Sequence, residues 1–162
     1  MKTSEKGKSI IKEFEGLHDG DLHQIGLQPK MDPAGIWTEG WGRAMKYNGS
    51  WLKGAKNKAL AYQLATIKTL DEANRALDED LLPREKEVLK FLKISLNQNQ
   101  FDALLSFYYN CGYSVTLFRL INSKSGRTQL YNWWTSHYIT SEGMKLPGLV
   151  NRRKKEADLY FT

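Results

Sequence analysis

Glu15 and Asp32 are distinguished by the residues around them. Glu15 ends the segment Ile10-Ile11-Lys12-Glu13-Phe14-Glu15 and is followed directly by Gly16. Asp32 opens the run Asp-Pro-Ala-Gly-Ile-Trp-Thr-Glu-Gly-Trp-Gly, in which Thr38 follows six residues later and Gly40 and Gly42 flank Trp41. An acid, a second carboxylate and a hydroxyl form a set suited to water-mediated cleavage of a glycosidic bond. The acid gives its proton to the leaving oxygen, a task favoured by an apolar wall, which Phe14 and the helix behind it can supply. The second carboxylate stays ionised, to activate water or to stabilise positive charge developing on the sugar. The same pair also fits ordinary surface charge and turn chemistry, so the spacing points to this reaction without requiring it.

These side chains need a frame to hold them. Residues 4–15 read as a helix, with Ile10, Ile11 and Phe14 at helical spacing and Gly16 as its stop. From Gly16 to about Gly54 the texture changes. Glycines recur at 16, 20, 26, 35, 40, 42, 49 and 54, with Pro29 and Pro33 between them. Short runs such as Ile36-Trp37-Thr38 and Gly40-Trp41-Gly42 predict a small twisted antiparallel sheet joined by turns. Beyond Gly54 the pattern is helical almost to the end. Helices are expected over 55–66 and 70–82, the second opened by a capping box of Thr69 and Glu72. Pro83 either breaks or kinks this stretch, or starts the next helix over 85–92. The strongest periodicity is at 97–111, where Phe101, Leu104, Leu105 and Tyr108 share a face and Gly112 is the stop. Shorter helices follow over 114–122, 126–136 and 149–160. The expectation is one α+β domain over 1–162, mostly helical and two-lobed. The sheet lobe spans about 16–54, and the helical lobe about 55–162 with the N-terminal helix. A cleft between the lobes is the natural place for a site.

Composition narrows the function classes. The 162 residues are 41% hydrophobic, enough for a real core. No apolar run is long enough to span a bilayer and no secretory leader is seen, so synthesis in a cytoplasm is expected, with another factor needed to cross a membrane. Cys111 is the single cysteine, cannot form an internal disulfide, and reads as a packing residue rather than a reactive thiol. The net charge of +6 is uneven: residues 1–55 hold 8 basic and 7 acidic groups, the remainder 16 and 11. Such an excess suits a polyanionic partner, with an attraction that weakens as salt rises.

His18, His23 and His137 share no metal-ligand spacing, and Asp19 and Asp21 beside the first two fit turn and surface roles. No metal ion or other cofactor is therefore expected. The absence of a phosphate-binding loop removes nucleotide hydrolysis, and the absence of a helix-turn-helix, zinc or ribonucleoprotein motif argues against a nucleic-acid partner. Five tryptophans, Trp37, Trp41, Trp51, Trp133 and Trp134, offer faces that either pack or stack on sugars. Trp133 and Trp134 point about 100° apart on a helix, so one of them is expected in the core.

Three stretches together resemble the phage lysozymes, glycoside hydrolase family 24. The first is Phe14-Glu15-Gly16 with Asp-x-x-Gly-x-x-Thr-x-Gly-x-Gly at 32–42. The second is the Leu96-Asn97-Gln98 block through Phe107 to Asn110-Cys111-Gly112. The third is Leu146-Pro147-Gly148 through Arg152-Arg153, with Glu156 after it. The resemblance implies a lysozyme-like fold and an endolysin-type muramidase that cuts the β-1,4 bond between N-acetylmuramic acid and N-acetylglucosamine with inversion. It implies Glu15 as the general acid, and Asp32 and Thr38 as the groups that position the water. It further implies an Arg152 able to approach and bind beside the acid, and by the stacking argument Trp37 is the tryptophan expected to bind substrate.

Peptidoglycan is the partner so implied, for a monomer with no stable membrane association that depends on a holin-type pore. The protein then resides in the host cytoplasm before lysis and acts on the wall or periplasm afterwards. A non-catalytic glycan-binding or virion module of the same fold is the alternative. Departures from the family pattern leave choices open. The segment between Glu15 and Asp32 is long, making Asp19 and Asp21 rivals for the second carboxylate. Glu39 stands where an apolar residue is usual, and either faces solvent or touches substrate. Arg43 replaces a common histidine.

Overall fold

The computed structural model describes residues 1–141 and 143–162. Helices dominate, and most of the small antiparallel sheets lie in the N-terminal part, the α+β arrangement expected from the sequence. The chain divides into two compact units, Glu15–Asp80 and Met1–Phe14 with Leu81–Thr162.

In the first unit, β1 (Lys30–Met31), β2 (Trp37–Glu39) and β3 (Arg43–Ala44) form one antiparallel sheet in that order. Its register pairs Lys30 with Thr38 and Met31 with Trp37, then Thr38 with Ala44 and Glu39 with Arg43. A hairpin of β4 (Lys46–Tyr47) and β5 (Ser50–Trp51) follows. Its turn residues Asn48 and Gly49 have φ of 49° and 78°, the left-handed pair that matches the twist of two strands. Strands this short bury little by themselves. α2 (Lys58–Leu64) completes a cluster of Trp37, Met45, Leu52 and Ala61, and the start of α3 (Leu70–Phe91) brings Ala73 and Ala76 against Ile67, with Leu27 and Trp41 packed on them. The division accordingly falls after Asp80, later than the change of texture at Gly54, because residues 55–80 supply the apolar surface that covers the sheets.

α3 is one helix. Pro83 lies inside it, removing one N–H to C=O bond at a cost of about 3 kcal/mol. Leu77 and Leu81 before it and Val88 after it are all buried, and each such burial is worth about 1.5–3 kcal/mol. Packing therefore outweighs the proline. The capping box at its start forms as expected: Thr69 N–H donates to Glu72 Oε2 at 2.9 Å and Glu72 N–H to Thr69 Oγ1 at 3.2 Å.

In the second unit, α1 (Glu5–Glu15) buries Ile10 and Ile11, and the carboxylate of the fully buried Asp102 accepts from Ser4 N–H at 2.9 Å near the helix start. A carboxylate there opposes the positive end of the helix dipole. α4 (Gln98–Cys111) is capped reciprocally by Asn97 and Gln100, buries Phe101 to Phe107 in an unbroken run, and ends at Gly112 with φ 71°. It packs on α7 (Pro147–Tyr160), with α5 (Val115–Asn122) and α6 (Arg127–Ser136) around them. One feature breaks the helical expectation for this region: β6 (Thr140–Ser141) and β7 (Met144–Lys145) make a short hairpin. Of the adjacent tryptophans, Trp134 is fully buried and Trp133 is half-buried, stacked on His137.

Candidate active site

Glu15 is the last residue of α1, and the chain turns away at Gly16 with φ 71°, the left-handed conformation that ends helices. Its carboxyl lies against the backbone of Gly42, where a Cβ would sit 3.2 Å from Glu15 Oε2 and φ is 89°. The glycine thus leaves room for the acid.

Asp32 follows β1 and closes a tight loop. Its N–H donates to Ile36 C=O at 2.8 Å, Gly35 N–H donates to its carbonyl at 2.9 Å, and Ile36 N–H donates to its Oδ1 at 2.8 Å. Pro33 and Gly35, the latter with φ 78°, suit this turn. One carboxylate oxygen is thereby held by the backbone, which fixes the direction of the other. Glu15 and Asp32 line one hollow of about 410 Å3, together with Gly16, His18, Lys30 and Pro33.

Asp19 and Asp21 do not line it. Asp19 Oδ1 accepts from the N–H groups of Asp21 and Gln28, both at 3.3 Å. Asp21 accepts from Gln24 Nε2 at 2.9 Å and His23 N–H at 3.1 Å, and these two bonds, the side-chain one foremost, hold its carboxyl below the usual carboxylate range. Both aspartates are committed to shaping their loop.

Thr38 is buried beside the hollow without lining it. Its hydroxyl donates to the Lys30 carbonyl at 2.9 Å, fastening β2 to the strand that leads into Asp32. Trp37, expected to meet substrate, is 6% exposed, packs with Met45, Leu52 and Ala61, and donates its indole N–H to Gly54 C=O at 2.9 Å. It has almost no face to offer a sugar, because its indole is the centre of the cluster that β2 forms with Met45, Leu52 and Ala61.

Glu39 departs from both sequence readings. It is buried and accepts from Thr66 N–H, Thr66 Oγ1 and Ile67 N–H at 2.9, 3.0 and 3.0 Å. It ties the sheet to the segment before α3. Arg43 bonds Asp80 Oδ2 and Glu79 Oε2, each at 3.0 Å, and the Ala76 carbonyl at 2.6 Å, anchoring β3 to α3.

Arg152 belongs to the helical unit and is buried. Glu156, fully buried, accepts from Ser106 Oγ at 2.7 Å and Trp134 Nε1 at 3.2 Å, and pairs with Arg152 and Arg153, each at 3.2 Å. Burial pushes the Glu156 carboxyl up, against the pull of both arginines. Arg152 also donates to the Ser106 carbonyl and lies over the Phe14 ring. The basic run at 152–155 is thus divided. Its arginines are interior, while Lys154 pairs with Asp158 and Lys155 with Glu13 at the surface.

Sequence reasoning missed His18 and Lys30 as wall residues. Lys30 stands two before Asp32, the interval at which strand residues share a face, so the alternation carried that signal. His18 is placed by a bridge to Gly40, its N–H donating to Gly40 C=O at 2.8 Å, which nothing local announces. Among the described residues no group of three or more His, Cys, Asp or Glu is arranged to hold a metal ion.

The sequence model of the family described as phage lysozyme matches residues 12–156. The endolysin of Acyrthosiphon pisum secondary endosymbiont phage 1 is 28% identical over 99% of this chain and 98% of its own length. The endolysin of Bacillus phage PZA is 34% identical over 99% of this chain, which spans 55% of that longer protein. Among solved structures, the endolysin from Escherichia coli O157:H7 phage FAHEc1 superposes with a TM-score of 0.72 at 30% identity, covering 99% of this chain and 93% of that one.

Proposed function

The chain belongs to the phage lysozyme family, a family of glycoside hydrolases, and on that premise we propose that it is an endolysin-type muramidase acting on bacterial peptidoglycan. Glu15 protonates the oxygen leaving the β-1,4 bond between N-acetylmuramic acid and N-acetylglucosamine. Asp32 stays ionised and directs a water to the opposite face of the sugar, so that the anomeric carbon inverts. Thr38 helps to position that water indirectly, by fastening β2 to the strand that leads into Asp32. Arg152 serves within the helical unit, bonding Glu156 and the Ser106 carbonyl and lying over the Phe14 ring next to Glu15 in sequence. The observation that carries this reading is that Glu15 and Asp32 line one hollow while Asp19 and Asp21 are spent on their own loop. The enzyme works as a monomer in host lysis, reaching the wall after a holin-type pore has opened the membrane.

Mass analysis of products from purified peptidoglycan tests the reaction. New reducing N-acetylmuramic acid ends support it; anhydro ends, freed peptides or no release at all overturn it, the last in favour of a glycan-holding module. Glu15→Gln is expected to abolish lysis with the fold intact, and Asp32→Asn to cripple it. Loss on Asp21→Asn with Asp32→Asn still active would move the second carboxylate into the loop.

A further inference from the structure

The charge of this protein is partitioned between its units. The helical unit holds 16 Lys and Arg against 8 Asp and Glu, or +8, and the sheet unit 8 against 10, or −2. Several of the helical unit's cations are neutralised locally, as at Arg153 with Glu156 and Lys154 with Asp158. Another group is not. The last turn of α3, the loop after α4 and the flank of α5 border a hollow of about 590 Å3 that includes Lys90, Lys93, Arg119, Phe91, Tyr113 and Val115. Among the described residues, none of the three cations has an ion pair or a side-chain hydrogen bond, and no carboxylate lines the hollow.

Its walls are apolar and fixed. The Phe91 ring lies 4.2 Å from Tyr113 and 5.6 Å from Phe118. Asn122 accepts from Lys93 N–H at 2.8 Å and donates to Phe91 C=O at 2.9 Å, pinning the rim. Yet Phe91 is 37% exposed, Tyr113 45% and Val115 67%, with Leu89 also exposed nearby in sequence. Three cations without counter-ions around exposed aromatic and aliphatic surface match a ligand that is anionic at one end and hydrocarbon at the other.

We propose that this hollow is a docking surface for an anionic phospholipid membrane. Lys90, Lys93 and Arg119 meet lipid phosphates, and Phe91, Tyr113 and Val115 enter the interfacial zone, where aromatic and aliphatic side chains gain by leaving water. A phosphodiester polymer or a nucleic acid would engage the cations and leave the apolar wall wet, which is why the lipid surface is the better fit. The contact is peripheral and reversible. No described helix is long and apolar enough to cross a membrane, and a reversible contact agrees with the expectation of no stable membrane association. Its use is to keep a wall-directed enzyme at the membrane, next to its substrate.

The experiment is co-sedimentation of the full chain with vesicles of phosphatidylcholine alone and of phosphatidylcholine mixed with phosphatidylglycerol. Binding is expected to the mixed vesicles only, weakening as salt rises. The combined variant K90Q/K93Q/R119Q should lower the partition on the order of a hundredfold. Val115→Asp, at a side chain already in solvent, should lower it as well, and both should cleave soluble glycan strands at the wild-type rate. The proposal is overturned by no binding to the mixed vesicles, by equal binding to phosphatidylcholine alone, or by a charge variant that binds like the wild type. It is also overturned if Val115→Asp binds normally while polyphosphate strips the protein from vesicles, since the hollow would then be a plain polyanion site.

Discussion

The segment Glu15–Asp80 and the rest of the chain are held together by different means. The sheet segment is continuous in sequence, poor in large buried side chains, and shaped by turns: Asp21, Asp32 and Glu39 each spend carboxylate oxygens on backbone N–H groups. The helical unit is assembled from both ends of the sequence around Phe101, Leu104, Leu105, Phe107 and Trp134, all fully buried, with Glu156 and its two arginines among them. In the first region carboxylates organise backbone, and one such carboxylate lines the hollow with Glu15. In the second a carboxylate organises interior side chains. The same residue type is thus a tool for aiming in one place and for packing in the other.

This contrast can be pressed experimentally, starting with the largest effect. Glu15→Gln should lower hydrolysis by 10²–10⁴-fold, on the order that a positioned acid contributes, with an unchanged melting temperature; a matching loss of stability would make Glu15 a structural residue. Trp134→Ala should do the reverse. It removes a fully buried indole and the donor to Glu156, costing about 3–5 kcal/mol in denaturant unfolding, while activity per folded molecule persists. Glu39→Ala tests whether a carboxylate of the sheet region can be purely structural. Three donors lose their acceptor, at about 1–3 kcal/mol; lost activity at unchanged stability would instead put Glu39 at the substrate. The smallest effect concerns Cys111. Its thiol is pushed up by burial despite the nearby guanidinium of Arg153 at 3.2 Å, so thiolate is scarce at neutral pH and alkylation of the native protein should be far slower than that of the unfolded chain. Equal rates would show that the helical core does not shield it.

Much of the helical unit was legible in advance. The run at 97–111 announces its buried face, its capping box and its glycine stop within a few residues, because a helix is specified by local spacing and local hydrogen bonds. The placement of Arg152 and Arg153 was not, since one basic run divided into interior and surface halves only when Glu156, Ser106 and Trp134 closed around it. In the sheet segment the sequence showed the turns and offered Glu15 with Asp32, Asp19 or Asp21, but two-residue strands carry too little periodicity to say which side chains face inward. Trp37 and Glu39 were accordingly misplaced, and Lys30 and His18 were overlooked.

Residue types and short-range spacing therefore determined the helices and the caps by themselves and marked a candidate acid, while three motif blocks along the chain carried the resemblance to the family. Tertiary structure decided which aspartate lines the hollow with Glu15, that Pro83 stays within one helix, and which charged groups are interior. These choices depend on partners far apart in the chain, whose burial and hydrogen bonds outweigh local preference only once the chain has closed on itself.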